Sequence, residues 1–309
     1  MHIVFADSVS LSWNLVADLQ LLLQFHFMQN AYLAGTLVAI SAGIMGYFMV
    51  LRSQSFAGHS LANVGFAGAT GAALFGIPAV VGLFIAGLFA AIGIQTLNLW
   101  ERQSRQSDIA VGAILTASLA LGFLFIHLST AEYAANVYNV LFGNILGIDD
   151  TDVTVIASAT GILLGILICI ARPLFFASLD PDVAAARGVP VRALAFGYLV
   201  LLALVVALAV QIVGVLLIFA LLVTPAAIAQ YVTTRPGVAV TVAIILALIF
   251  TWTGLAVAYF TPYPVGFFIT TFAFGTYLLV RGARLALDRV GRRKRPVADI
   301  ARAGGELWV

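Results

Sequence analysis

Long apolar runs recur along almost the whole of this chain, each close to the ~20 residues that a helix needs to cross ~30 Å of hydrocarbon. GILLGILICIA and LLALVVALAV are two of them. The runs fall at 31–51, 56–76, 78–99, 109–128, 153–171, 193–210, 215–231, 238–260 and 265–280, which predicts nine membrane-spanning helices. Only 9% of the residues are charged, against about 25% in soluble domains, so a soluble fold of this length is excluded. An outer-membrane barrel is excluded as well, because its short strands alternate apolar and polar residues. The expected fold class is therefore all-α, a polytopic integral membrane helical bundle. The one cysteine, Cys169, lies inside an apolar run and supports neither an intrachain disulfide nor a thiolate metal site.

The cations give the bundle a direction. All fifteen Lys and Arg residues fall in alternate loops of the nine-span arrangement: Arg52; Arg102 and Arg105; Arg172, Arg187 and Arg192; Arg235; and the tail from Arg281 onward. The opposite loops carry Glu132, Asp149, Asp150 and Asp152. Basic residues stay on the cytoplasmic side, so the amino terminus is expected outside and the carboxyl terminus in the cytoplasm. Residues 1–28 mix apolar positions with Asn14, Asp18 and Gln20, as an amphipathic interfacial segment or a short first span would. They lack the basic start of a cleavable signal peptide. Residues 29–281 then form the transmembrane domain, and 282–309 a basic cytoplasmic tail.

The stretch 56–78, FAGHSLANVGFAGATGAALFGIP, is long enough to span yet carries His59, Ser60, Asn63 and Thr70. His59 and Asn63 are four apart and share a helix face. Gly58, Ala62, Gly65 and Ala69 form a strip of small residues that lets neighbouring helices approach. Polar side chains within a membrane are costly and face a bundle interior or a wet cavity. His59 and Asn63 thus either line a substrate path or serve only as interhelical hydrogen-bond partners. His127, with Glu132 five residues on, is a candidate metal-binding pair at the outer end of the fourth span; the alternative is a polar anchor at headgroup level. His26 is read as interfacial.

One cytoplasmic loop, SLDPDVAAARGVPVR, has the marks of a short helix. Asp180 suits the N-cap, Pro181 the first turn and Gly188 the stop. Asp182 near the start and Arg187 near the end match the helix dipole. Ala184, Ala185 and Ala186 give it a narrow, smooth surface. Such a helix is a docking knob for a cytosolic partner or an ordinary helix lying on the membrane.

Four stretches in order resemble the membrane subunit of bacterial ATP-binding-cassette importers for zinc, manganese and related metals. MVLRSQSFAGHSLANVGFAGA resembles the block after the first span, where a basic residue precedes Phe-Gly-Asp and a His follows four residues after the Asp. YNVLFGNILGIDDTDV resembles the Leu-Phe-Gly segment. SLDPDVAAARGVPV resembles the coupling segment, and VGVLLIFALLVTPAAIAQ the Gly-x-Leu-Leu…Pro-Ala-Ala-x-Ala helix. The resemblance covers about residues 35–280.

The resemblance implies a permease subunit of the bacterial inner membrane that imports divalent metal, with zinc the expected cargo and no stably bound cofactor. It implies a homodimer in the lipid bilayer, paired with a cytoplasmic ABC ATPase and served by a periplasmic metal-binding protein; no nucleic acid is involved. Asp180, Pro181, Asp182, Ala185, Arg187 and Gly188 fall in the coupling helix, and His59 and Asn63 in the metal path. The chain has no phosphate-binding Gly-x-x-x-x-Gly-Lys-Ser/Thr loop, so it is expected to be a transport subunit without an ATPase site of its own. It departs from the family pattern at His59, where the family has Asp, and at Asn63, where the family has His. It departs again at Pro262-Tyr263-Pro264-Val265-Gly266, where the family shows Asp-x-Pro-x-Gly. A set of neutral ligands favours zinc over hard manganese. Alternatives are a permease for manganese, iron or a metal chelate, and a secondary transporter or channel that needs no ATPase. That last class calls for charged pairs at mid-membrane and inverted repeats, which the chain lacks.

Overall fold

A computed structural model describes residues 24–100, 107–128, 140–261 and 263–293. Among these, the chain forms ten α-helices and one 3-10 turn. In order they are α1 (His26–Leu51), α2 (Ser55–Leu74), α3 (Ala79–Trp100), α4 (Ser107–Leu128), the turn Ile145–Gly147, α5 (Asp150–Leu179), α6 (Pro181–Ala186), α7 (Val191–Val213), α8 (Val215–Val232), α9 (Pro236–Tyr259) and α10 (Val265–Arg293). Most of the amphipathic segment 1–28, together with Glu132, Arg102, Arg105 and the end of the basic tail, lies outside the described residues.

Eight of these helices are long and apolar enough to cross a membrane. The ninth long helix is α2, whose Gly, His, Asn, Ser and Thr content lowers its apolarity. Its place in the fold explains that composition. It packs against α3, α4, α7 and α8, so its small residues meet other helices and not lipid. Gly65 faces Leu83 of α3 and Val210 of α7. The tightest approach is one residue off the expected small-residue strip, where Gly68 lies against the backbone of Gly82.

The core is built on α1 and α7. Met28, Ala31, Ala34, Met45 and Met49 of α1 are fully buried, as are Leu202, Val206 and Val210 of α7 or nearly so. Gly43 and Gly46 bring α1 onto α9 and α8, since a Cβ at either would meet the backbone of Ile244 or Leu222. In contrast, α4, α5 and α10 present most of their apolar surface outward, as helices facing acyl chains do.

Two helices outrun the lengths read from the sequence. The fifth span, expected to stop at Arg172 and Pro173, continues as α5 to Leu179. Proline removes one backbone donor, but Leu174 and Ala177 beyond it are buried against the bundle and hold the helix together. At 30 residues and ~1.5 Å each, α5 is about 45 Å long, well over the ~30 Å hydrocarbon core. Its far end carries α6. Likewise α10 continues to Arg293, past the expected end of the ninth span.

The Leu-Phe-Gly segment is helical at residues 140–142 and goes on to the 3-10 turn Ile145–Gly147. Its described residues pack over the break between α7 and α8. Gly143 (φ +78°) and Gly214 (φ +88°) adopt left-handed backbone there. A Cβ on Gly143 would strike the Ile212 carbonyl, and one on Gly214 the Leu141 carbonyl. The segment therefore caps the end of the bundle opposite α6.

Candidate functional site

His59 and Asn63 sit in the first turns of α2. Their spacing places one above the other: Asn63 Nδ2 donates to the His59 carbonyl at 2.9 Å and lies 3.4 Å from His59 Nε2. The His59 ring meets Phe219 of α8 edge-on, with centroids 4.9 Å apart. Its Nδ1 is buried and has no hydrogen-bond partner among the described residues. A buried polar atom left unpaired costs on the order of 1–3 kcal/mol, so its persistence calls for a ligand or a function. Neither side chain is wholly enclosed, which leaves a way to reach the pair.

The rest of the polar stripe divides. Ser60 is buried and donates to the Val111 carbonyl of α4 at 3.2 Å, which makes it an interhelical tie. Thr70 donates to the Phe66 carbonyl of its own helix at 2.9 Å. It also lines a chamber of about 550 Å³ that opens at the end of the bundle opposite α6. Thr70, Asn144, Asp152 and Gln211 give this chamber its polar side chains, and Ile148, Ile156, Leu83 and Val210 part of its apolar wall. His59 and Asn63 do not line it. Leu83 and Val210, almost fully buried, pack over Gly65, which lies between Asn63 and Thr70 along α2. They make an apolar floor to the chamber.

His127 is exposed near the end of α4 and does not reach the chamber, although its neighbour Ile126 does. Its expected companion Glu132 is outside the described residues. His26 begins α1, and its Nε2 lies 2.7 Å from Asp150 Oδ1, which also accepts from Asn30 Nδ2 at 2.7 Å. This cluster ties α1 to the start of α5. Asp149 precedes α5, and its N–H donates to Asp152 at 3.4 Å, the capping role that its place in the loop suggests. Among the described residues, no group of three or more His, Cys, Asp or Glu converges as a metal cage would require. Sequence reasoning missed the chamber, because its lining comes from separate segments that no local pattern links.

At the other end, Asp180 Oδ1 accepts from the Val183 N–H at 3.0 Å, an N-cap in place. Pro181 fills the first position of α6. Gly188 (φ +82°) reverses the chain, with the Val189 N–H returned to the Ala184 carbonyl at 3.0 Å. Ala184 is fully buried and anchors the helix, while Pro181, Asp182, Val183, Ala185 and Arg187 are exposed. The Arg187 guanidinium sits over the Phe176 ring of α5 at 5.6 Å. All six residues singled out from the sequence are thus in one small, well-capped knob, at the end of the bundle away from the chamber.

The family model named ABC 3 transport family matches residues 24–282. The chain belongs to this family. It is 36% identical over 207 residues to the manganese import system permease protein ScaB of Streptococcus parasanguinis, spanning 67% of this chain and 72% of that protein. It is 31% identical over 204 residues to a Haemophilus influenzae protein described as a probable iron transport system membrane protein, across 66% and 73% of the two chains. The solved structure of PsaBC from Streptococcus pneumoniae in complex with Fab superposes with a TM-score of 0.76 at 29% identity, covering 86% of this chain and 95% of that one. This ABC 3 family chain is accordingly a multi-pass membrane permease, and the helical bundle read from the sequence is its fold. Of the two relatives, one is named for manganese and the other for iron; neither is named for zinc, the cargo expected from the sequence.

Proposed function

We propose that this chain is the membrane permease of an ABC importer for divalent transition-metal ions, working as a homodimer with a separate ATPase and a periplasmic metal-binding protein. The observation that carries the metal reading is the buried, unpaired Nδ1 of His59 beside Asn63, an imidazole donor with no protein partner among the described residues. The names of its relatives support the same cargo class. Imidazole with an amide oxygen suits zinc better than manganese, which prefers carboxylate and water. Zinc is therefore the first reading. Manganese is the second, favoured by the relatives and by the oxygen donors of Asp152, Asn144 and Thr70 in the chamber. Neutral ligands bind weakly, and a conducting site must release what it takes up.

The alternating basic loops support a chamber open to the outside and α6 in the cytoplasm. In this reading the ion enters at the chamber, passes the Leu83–Val210 floor when the bundle opens outward, and is held by His59 and Asn63 until the bundle opens inward. The exposed face of α6 seats on the ATPase, which supplies the energy. The chain itself makes and breaks no covalent bond.

The deciding experiment reconstitutes the permease with its ATPase and binding protein in vesicles and compares uptake of zinc, manganese and iron. ATP-dependent uptake of one of them is expected. Uptake of all three by the permease alone, without ATP, would replace this reading with a channel.

A further inference from the structure

Arg52 ends α1 and stands three residues before α2. It is half-buried, and the one ion pair among the described residues is His26–Asp150, so no carboxylate neutralises Arg52 there. A half-buried cation without a counter-charge is expensive. What holds it is a hydroxyl, an aromatic face and the side-chain amide of Gln54, whose Oε1 accepts from Arg52 Nε at 3.4 Å. Arg52 Nη1 donates to Ser178 Oγ at 3.1 Å, and its guanidinium lies 5.4 Å from the centre of the Tyr198 ring. Tyr198 is fully buried, and its hydroxyl donates back to the Met45 carbonyl of α1 at 3.1 Å.

Both ends of this contact are informative. Ser178 lies in the last turn of α5, two residues before the Asp180 cap of α6. Phe176, in the same turn, carries Arg187 on its ring. The final turns of α5 are thus gripped from one side by the knob and from the other by Arg52. On the Arg52 side the corner into α2 is stiff. Ser53 takes a left-handed backbone (φ +55°), the Gln54 N–H returns to the Met49 carbonyl at 2.9 Å, and the Gly58 N–H donates to the Gln54 carbonyl at 3.1 Å. Gly58 rests against the Met49 sulfur and is followed directly by His59.

We propose that Arg52 is the positioning residue that transmits movement of α6 to the His59 helix, through Ser178 on one side and the stiff α1–α2 corner on the other. A displacement of α6 carries the end of α5 with it. Ser178 then pulls or releases the guanidinium, and the corner turns as a unit because its hydrogen bonds leave no slack between Arg52 and Gly58. The uncompensated charge makes the link switchable: a hydroxyl, an amide oxygen and a ring hold a guanidinium firmly enough to transmit force, yet less tightly than a buried carboxylate would. This inference rests on the reading of α6 as the ATPase-docking element.

The test uses the full permease–ATPase–binding-protein complex in vesicles and scores zinc, or manganese, moved per ATP hydrolysed. Arg52→Gln is expected to keep the ATPase bound while the ratio falls roughly tenfold, the upper range for residues that carry coupling between sites. Arg52→Lys keeps a cation over Tyr198 and a donor for Ser178, and is expected to recover most of the ratio. Ser178→Ala is expected to fall between them. A wild-type ratio in both Arg52→Gln and Ser178→Ala overturns the proposal. If Arg52→Gln does not reach the membrane, Ser178→Ala decides alone: a lowered ratio upholds the link and a wild-type ratio overturns it. Ala185→Trp separates the two readings. If it fails to release the ATPase, the docking role of α6 is wrong; if it does release it while Arg52→Gln couples normally, only the Arg52 link is wrong.

Discussion

Gly68 of α2 and Gly82 of α3 lie backbone to backbone, so that a Cβ on either would collide with the carbonyl oxygen of the other. Lipid supplies no hydrophobic force to press helices together, and close contact of this kind holds them instead. Gly68→Val forces the two helices apart and is expected to cost about 1–3 kcal/mol. The thermal unfolding of the purified permease in detergent measures it. Gly161, inside α5, has open space where a Cβ would go, so Gly161→Ala serves as the control that loses no stability.

His59 provides the free donor of the α2 pair. His59→Ala is expected to abolish metal uptake while the ATPase still co-purifies, and normal uptake would remove His59 from the path. The double substitution His59→Asp and Asn63→His puts a carboxylate beside an imidazole. Carboxylate favours manganese, so the zinc-to-manganese uptake ratio is expected to shift toward manganese by about tenfold, or ~1.4 kcal/mol of differential binding.

Leu83 and Val210 floor the chamber over Gly65. Leu83→Ala together with Val210→Ala removes that apolar layer. Vesicles containing the permease without ATPase are then expected to leak zinc or manganese, where the wild-type protein does not. A tight double variant would show that the ion does not cross this layer.

Asp180 caps α6 through the Val183 N–H. Asp180→Ala costs about 1 kcal/mol of local helix stability, enough to loosen a six-residue helix. Faster amide exchange in α6 and weaker ATPase binding are expected, while uncoupled features such as membrane insertion stay normal. Asp180→Asn retains the cap and is expected to behave as wild type.

Sidedness is checked by labelling in a background with Cys169 replaced by Ser. Arg187→Cys is expected to react only with reagent on the cytoplasmic side, and Asp150→Cys only with reagent outside. Modification of Arg187→Cys from outside would invert the arrangement.

Length, apolarity and end signals made most of the helices legible. Asp180, Pro181 and Gly188 announce α6 because capping chemistry is local. Pro173 misled the reading of α5, since a proline stops a helix only where nothing beyond it packs, and the burial of Leu174 and Ala177 is not visible in a run of letters. The small-residue strip on α2 was legible as a type of surface, but its closest contact, at Gly68, depends on where α3 crosses it.

The residue sequence alone determined that this chain lives in a membrane, where most of the long helices among the described residues run, and where the short capped helix lies. Those follow from properties of neighbouring residues: hydropathy over a span, charge in a loop, a cap before a turn. The tertiary structure alone decided that His59 turns its ring to Phe219 and leaves Nδ1 without a partner among the described residues, that α2, α3, α5 and α7 line a chamber with the Leu-Phe-Gly segment, and that Arg52 meets a serine 126 residues away. Helices in lipid choose their faces by shape and by scattered hydrogen bonds, and both arise only once distant segments are brought together.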